Sequence, residues 1–222
     1  MNKNQKLKTI LAIITTVIVT GCSTKEISQQ EADRRFLKKY NKPIKTKNKA
    51  TQNKEDACII VKKNPDWLKA MYRTQLVYNI PISTQLAFVK HESSFERKAR
   101  PPNKNRKSIF DKKYASTAYG YAQALDGTWK EYQTTFNNKR LKRTNYGHSV
   151  DFIGWYNNRH IKAGMNPNNI SHLYLAYHEG LGGYRKKTYN KKPWLVNYSK
   201  AVEMSAQKYH RQLNLCKPEI KY

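Results

Sequence analysis

The sequence predicts a mainly α fold. Three observations carry that expectation: large apolar residues recur at steps of three and four through most of residues 58–216, prolines and capping polar residues stand just ahead of several of those runs, and no stretch alternates long enough to argue a substantial sheet. With 222 residues, 38% of them hydrophobic, the chain suits one folded domain plus some non-globular length.

Residues 1–21 hold no acid, carry Lys3, Lys6 and Lys8, and run through an apolar stretch at 9–19. These are the parts of a secretory signal peptide. The stretch is short for a permanent membrane helix, which needs roughly 20 residues. Its end, Val19-Thr20-Gly21-Cys22, resembles the lipobox of bacterial lipoproteins, with Val19 in place of the more usual Leu. That resemblance implies that Cys22 becomes the lipidated first residue of the mature chain. Ser23 rather than Asp after it implies passage to the outer membrane in the enteric pattern.

Residues 22–56 are dense in Lys, Gln, Asn and Thr, with few large apolar side chains. They read as a flexible tether, long enough as a coil to hold a domain roughly 30 Å off a membrane surface. A short helix around residues 31–40 has little apolar surface to support it. The domain itself is expected over residues 57–222.

Residues 65–78 set Trp67, Leu68, Met71, Tyr72 and Leu76 at helical intervals behind Asn64 as N-cap. A second helix starts at Pro81 and Ser83, carries Leu86, Phe88 and Val89, and closes on His91-Glu92-Ser93-Ser94-Phe95. Glu92 therefore falls in the last turn of an apolar helix. A carboxyl there is half-buried against the core while its end faces a groove, and desolvation raises its pKa. Residues 96–114, with Pro101-Pro102 and many cations, form a basic loop: a lip over the groove or a plain surface segment. Later helices are expected at 128–136 behind a capping Asp126, and at 150–161, 170–178 and 194–213.

The charge is +28, from 43 Lys and Arg against 15 Asp and Glu, and removal of residues 1–21 takes away only three lysines. Such a balance calls for a large anionic partner. Export argues against nucleic acid and leaves the bacterial wall and anionic lipid. Export also argues for a disulfide between Cys58 and Cys216, the even pair that remains once Cys22 is acylated.

Three short segments bear on chemistry: Glu92-Ser93-Ser94-Phe95, Gly120-Tyr121-Ala122-Gln123 and Ala176-Tyr177-His178-Glu179-Gly180. In order and together they resemble the Glu-Ser-x-Phe, Gly-Leu-Met-Gln and Ala-Tyr-Asn-Ala-Gly motifs of the soluble-type lytic transglycosylases. The resemblance covers about residues 58–216. Tyr121 and Ala122 replace Leu and Met, and His178 and Glu179 replace Asn and Ala.

The resemblance implies a lysozyme-like helical domain, close to the goose-type lysozymes, that acts on peptidoglycan glycan strands. Glu92 would be the acid and base for the β-1,4 bond between N-acetylmuramic acid and N-acetylglucosamine, cut without water to leave 1,6-anhydromuramic ends. Ser93 would hydrogen-bond beside the scissile sugar, Gln123 would contact the substrate or Glu92, and Tyr177 would stabilise the charged state near Glu92. Tyr119 and Tyr121 either floor the sugar groove or pack in the core. An ordinary glycosidase has a second carboxylate roughly 5–10 Å away. Glu179, Asp126 and Asp151 are the candidates here; if Glu179 faces Glu92, the enzyme is a hydrolytic muramidase, and otherwise Glu179 orients its loop.

A wall-binding lipoprotein without catalysis is the remaining alternative, and intact Glu92 and Ser93 argue against it. Local wall opening for a secretion apparatus or for turnover is the role implied, by a monomer on the periplasmic face of the envelope. No metal or cofactor is expected. His91-Glu92 and His178-Glu179 begin like a zinc-protease helix, but neither has His three residues after its Glu, and no phosphate loop or Gly-x-Ser-x-Gly is present.

Overall fold

Pro65 opens the helix at the heart of the fold because its fixed φ and missing N–H cost nothing in a first turn. In the computed structural model, which describes residues 29–47, 53–103, 107–108 and 113–219, that helix is one of eight α-helices. They are α1 (Gln29–Lys39), α2 (Ala57–Lys63), α3 (Pro65–Tyr78), α4 (Ile82–Ser93), α5 (Asp126–Thr135), α6 (Tyr146–Lys162), α7 (Ile170–Arg185) and α8 (Pro193–Cys216), with a 3-10 turn at Thr188–Lys191. Among the described residues, β pairing is limited to isolated bridges, Pro102 with Tyr114 and Tyr119 with Ala124.

The periodicity of α3 has its expected result. Trp67, Leu68, Ala70, Met71 and Tyr78 are buried, and the helix stops at Asn79, whose left-handed φ of 56° lets its N–H reach the Gln75 carbonyl at 2.8 Å. Asn64 stands at the start of α3 without capping it by its side chain; its amide donates back to Ile60 of α2 instead. Helix α4 is buried nearly all round, with Leu86, Ala87, Phe88 and Val89 fully inside. That explains its weak sidedness in sequence. It packs chiefly on α8, while α3 lies on α6 and α7 on α8. Trp67 stacks on Tyr146 at 3.7 Å, which locks α3 to α6.

Cys58 and Cys216 are disulfide-bonded, with Cα atoms 6.1 Å apart across a sequence separation of 158. The bond ties α2 to the last turn of α8. Closing a loop of that size stabilises by roughly 4–5 kcal/mol in the chain-entropy model, and by less in most delivered cases.

Residues 29–47 correct the expectation of a free tether over that stretch. Phe36 is buried against Tyr40 and Tyr72, at 4.8 and 5.3 Å, so a single aromatic ring supplies the apolar surface α1 was expected to lack. Beyond α1, the buried Arg73 donates from Nε to the Tyr40 carbonyl at 2.6 Å and from Nη2 to that of Asn41 at 3.2 Å. Asn145 exchanges hydrogen bonds with the Thr46 backbone, and the Trp67 indole donates to the Lys47 carbonyl at 3.2 Å. The segment is strapped along α3 and the start of α6. The signal segment and Cys22 lie outside the described residues.

Two further details concern α5 and α7. Leu125 rather than Asp126 caps α5; Asp126 is the first helical residue, where a carboxylate meets free N–H groups. Helix α7 is broken at Gly180, whose φ 69° and ψ 163° are open essentially to glycine alone, so its first part ends about where expected and a second helical part continues to Arg185.

Candidate active site

Glu92 is placed by an abrupt end to α4. Ser94 and Phe95 both take left-handed φ, 50° and 59°, and the chain turns away within two residues. A bulky residue pays strain there. Burial compensates, since the Phe95 ring is inside and lies nearly parallel to Trp67, 6.4 Å away.

Beside this turn opens a cavity of about 630 Å³. Glu92 reaches it from α4, Gln123 and Leu125 from the loop before α5, Phe152 and Tyr156 from α6, Tyr174 and Tyr177 to Gly180 from α7, and Trp194 and Tyr198 from α8. Glu92 is half-buried at its edge. Burial pushes its carboxyl up to about 7, against a smaller opposing effect of a hydrogen bond from the Tyr174 hydroxyl. A carboxyl so held is part protonated and part ionised at neutral pH, the state a group needs to give a proton and later take one.

The three motif segments converge at this point. Phe88, one turn before Glu92, packs edge-on against Tyr174 and Tyr177 at 5.3 and 5.2 Å. Tyr177 donates its hydroxyl to the Ala122 carbonyl at 2.7 Å, joining the third segment to the second. Gln123, at φ 47°, donates to the carbonyls of Ala99 at 3.0 Å and Gly120 at 2.7 Å, so the loop after Glu92 is fixed from the same side. Gly120 has φ 78° and lies against the Arg143 carbonyl with no room for a side chain. Residues 10–216 match the transglycosylase SLT domain family.

The chain belongs to that family. Its members are lytic transglycosylases of peptidoglycan, and the helical architecture is the lysozyme-like one expected of an SLT domain. Neither the curated proteins nor the solved structures include a match to the chain.

Within this SLT domain the residues singled out in the sequence fall into different places. Gln123, Tyr177 and Glu179 line the cavity with Glu92. Tyr121 does not floor it: only 1% exposed, it packs edge-on against Trp67 and Tyr146, and burial pushes its hydroxyl up to about 12. Tyr119 is held between the guanidinium groups of Arg100, at 4.1 Å, and Arg143, at 5.3 Å, away from the cavity lining. Ser93 is buried and donates its hydroxyl to Val89 one turn back at 3.1 Å. The Tyr177 hydroxyl goes to the Ala122 carbonyl, and the hydroxyl that lowers the Glu92 carboxyl against burial is that of Tyr174, one turn earlier.

The other carboxylates are engaged. Glu179, with 5% of its side chain exposed, takes the Lys192 ammonium at 2.7 Å and His178 Nδ1 at 2.9 Å on one oxygen and the Thr188 hydroxyl on the other. Desolvation alone would raise it, but the hydrogen bonds from Lys192, Thr188 and His178 together outweigh that and hold it down at about 2. Asp151 is inside the core, bonded to Arg73, Tyr132 and Tyr78. Asp126 is exposed and paired with Arg143 at 2.7 Å.

Among the cavity residues that went unseen in the sequence are Tyr156, Tyr174, Trp194 and Tyr198. Tyr174 carried a signal, since it stands one helical turn before Tyr177 and so shares its face. Tyr198, among 16 tyrosines, carried none; the fold brings it close enough to donate to the His91 carbonyl at 2.7 Å.

Proposed function

We propose that this SLT-domain protein cuts peptidoglycan glycan strands non-hydrolytically, with Glu92 as acid and then base. Protonated Glu92 gives its proton to the bridging oxygen as the C1–O bond of N-acetylmuramic acid breaks. The C6 hydroxyl of the same sugar then attacks C1 and passes its proton to the Glu92 carboxylate. The products are a free 4-hydroxyl on N-acetylglucosamine and a 1,6-anhydro ring, with Glu92 protonated again. No water enters.

The observation that carries this reading is the contrast between the two carboxylates that line the cavity. Glu92 is held near neutrality by burial, whereas Glu179 is tied by three donors and stays ionised. A hydrolytic route needs a second carboxylate free to activate water or attack the sugar. Glu179 is bound otherwise, which favours the non-hydrolytic route.

The proposal extends to location. The signal-like residues 1–21 and the lipobox-like Val19-Thr20-Gly21-Cys22 support a lipid anchor on Cys22 at the periplasmic face of the outer membrane, near a secretion apparatus or sites of wall turnover. No helix among the described residues is long and apolar enough to cross a membrane. The basic surface suits an anionic wall.

Glu92→Gln keeps the shape and removes the titration. Release of soluble fragments from isolated walls should fall by about 10²–10⁴-fold, the usual contribution of a general acid. Retained release by a folded Glu92→Gln protein would refute the assignment.

A further inference from the structure

Large apolar side chains left in water are not spread evenly over the surface. Leu125, Trp194 and Tyr198, three of those exposed among the described residues, all border the cavity of Glu92. Trp194 is the largest, 58% exposed and second in α8, with the His178 ring edge-on to it at 5.5 Å. An indole so exposed gains nothing from the core, yet it is not loosely held.

Its support comes from the residue before its helix. Lys192 is the N-cap of α8 and reaches across to Glu179 at 2.7 Å; Glu179 also takes the Thr188 hydroxyl, gathering both ends of the 3-10 turn, and touches His178. Thr188 donates as well to the Gly183 carbonyl at 3.2 Å. One nearly buried carboxylate therefore fixes the 3-10 turn, the start of α8 and the ring that packs against Trp194. These ties run through His178 and Glu179, the positions where the sequence departs from the Asn-Ala of the motif it resembles.

We propose that Trp194 is the platform of an additional glycan subsite at the α7–α8 rim of the cavity, stacking on a sugar ring beyond the pair that flanks the cleaved bond, and that Glu179 is the positioning residue that sets its orientation. The apolar face of a pyranose ring packs on an indole face, as aromatic faces pack on other flat apolar surfaces. The inference rests on the reading of the cavity as a glycan site.

The test uses the full chain carrying Glu92→Gln, which binds without cutting, and uncross-linked glycan strands of two and six sugars, with affinity read by calorimetry. Adding Trp194→Ala should weaken binding of the six-sugar strand by roughly 5- to 20-fold, the loss expected of one aromatic stack, and leave the two-sugar affinity nearly unchanged. Trp194→Phe should recover most of the loss. Adding Glu179→Ala should weaken the six-sugar strand similarly, and the Glu179→Ala/Trp194→Ala pair should bind no worse than Trp194→Ala alone, since the two act through one contact. Equal binding of the six-sugar strand with and without Trp194 would overturn the subsite while leaving the cavity's role intact. Additive losses would overturn the positioning role of Glu179. No binding of either strand by the Glu92→Gln chain would overturn both the subsite and the reading on which it rests.

Discussion

Glu92 at the end of α4 and Asp151 inside α6 are both carboxyls taken out of water, and both are raised by it, Glu92 to about 7 and Asp151 to about 6. Their surroundings differ in kind. Asp151 is closed in by Arg73, which bonds one oxygen, and by the hydroxyls of Tyr132 and Tyr78, at 2.8 and 3.3 Å, on the other. Glu92 has no cation of this kind among the causes of its shift: the Tyr174 hydroxyl lowers it, those of Tyr177 and Tyr198 lie near enough to feel its charge, and it borders an open cavity. Burial alone therefore does not make a reactive acid. What distinguishes Glu92 is that its desolvation is left uncompensated where a substrate can enter.

The contrast can be broken from the Asp151 side first. Arg73→Ala removes the only cation on Asp151 among its bonded partners and frees the carbonyls of Tyr40 and Asn41, so it should destabilise by about 3–5 kcal/mol in denaturant unfolding. Arg73→Met/Asp151→Asn, which leaves no buried charge, should recover a substantial part. A loss below about 1 kcal/mol for Arg73→Ala would show that the pair is not buried as described.

From the Glu92 side the sign reverses. A carboxyl whose folded pKa lies above its unfolded value favours folding only while protonated, so its contribution is present below about pH 4.5 and lost as pH rises through about 7. Glu92→Gln should therefore stabilise the protein above neutrality by roughly 1–3 kcal/mol and converge with the parent below pH 5. Thermal unfolding at pH 8 and pH 4.5 checks both ends. Destabilisation at pH 8 would mean that Glu92 is satisfied in the fold, like Asp151.

The smallest effect is the most specific. Tyr174 bonds the ionised carboxyl and so lowers its pKa against the larger effect of burial. In Tyr174→Phe the pKa rises further, and the fall of kcat/KM on the alkaline side should move to higher pH by up to about one unit. An unmoved alkaline limb would assign that limb to another group.

Much of this was legible in the sequence. Helix α3 has its expected bounds, and α4, α6 and α8 lie within a few residues of theirs, because dense apolar side chains at steps of three and four leave little alternative. The position of Glu92 was legible because apolar helical spacing runs up to it, while its proposed role rests on the resemblance of Glu92-Ser93-Ser94-Phe95 to a family motif. Residues 29–47 were not, because their docking rests on one ring, Phe36, and on backbone carbonyls that any sequence provides. Tyr121 was ambiguous because an aromatic beside a turn glycine serves a core or a groove equally well. Trp194 was invisible as a site residue because its position depends on how α8 crosses α7. Glu179 raised the right question, but only the ties to Thr188, His178 and Lys192 show how it is engaged.

The mass of the released fragments tests the central claim most directly. Digestion of purified walls by the full chain should yield muropeptides ending in 1,6-anhydromuramic acid, each lighter by one water than the hydrolytic product, and none when Glu92 is Gln. Fragments carrying only reducing ends would contradict the account and make the enzyme a hydrolase.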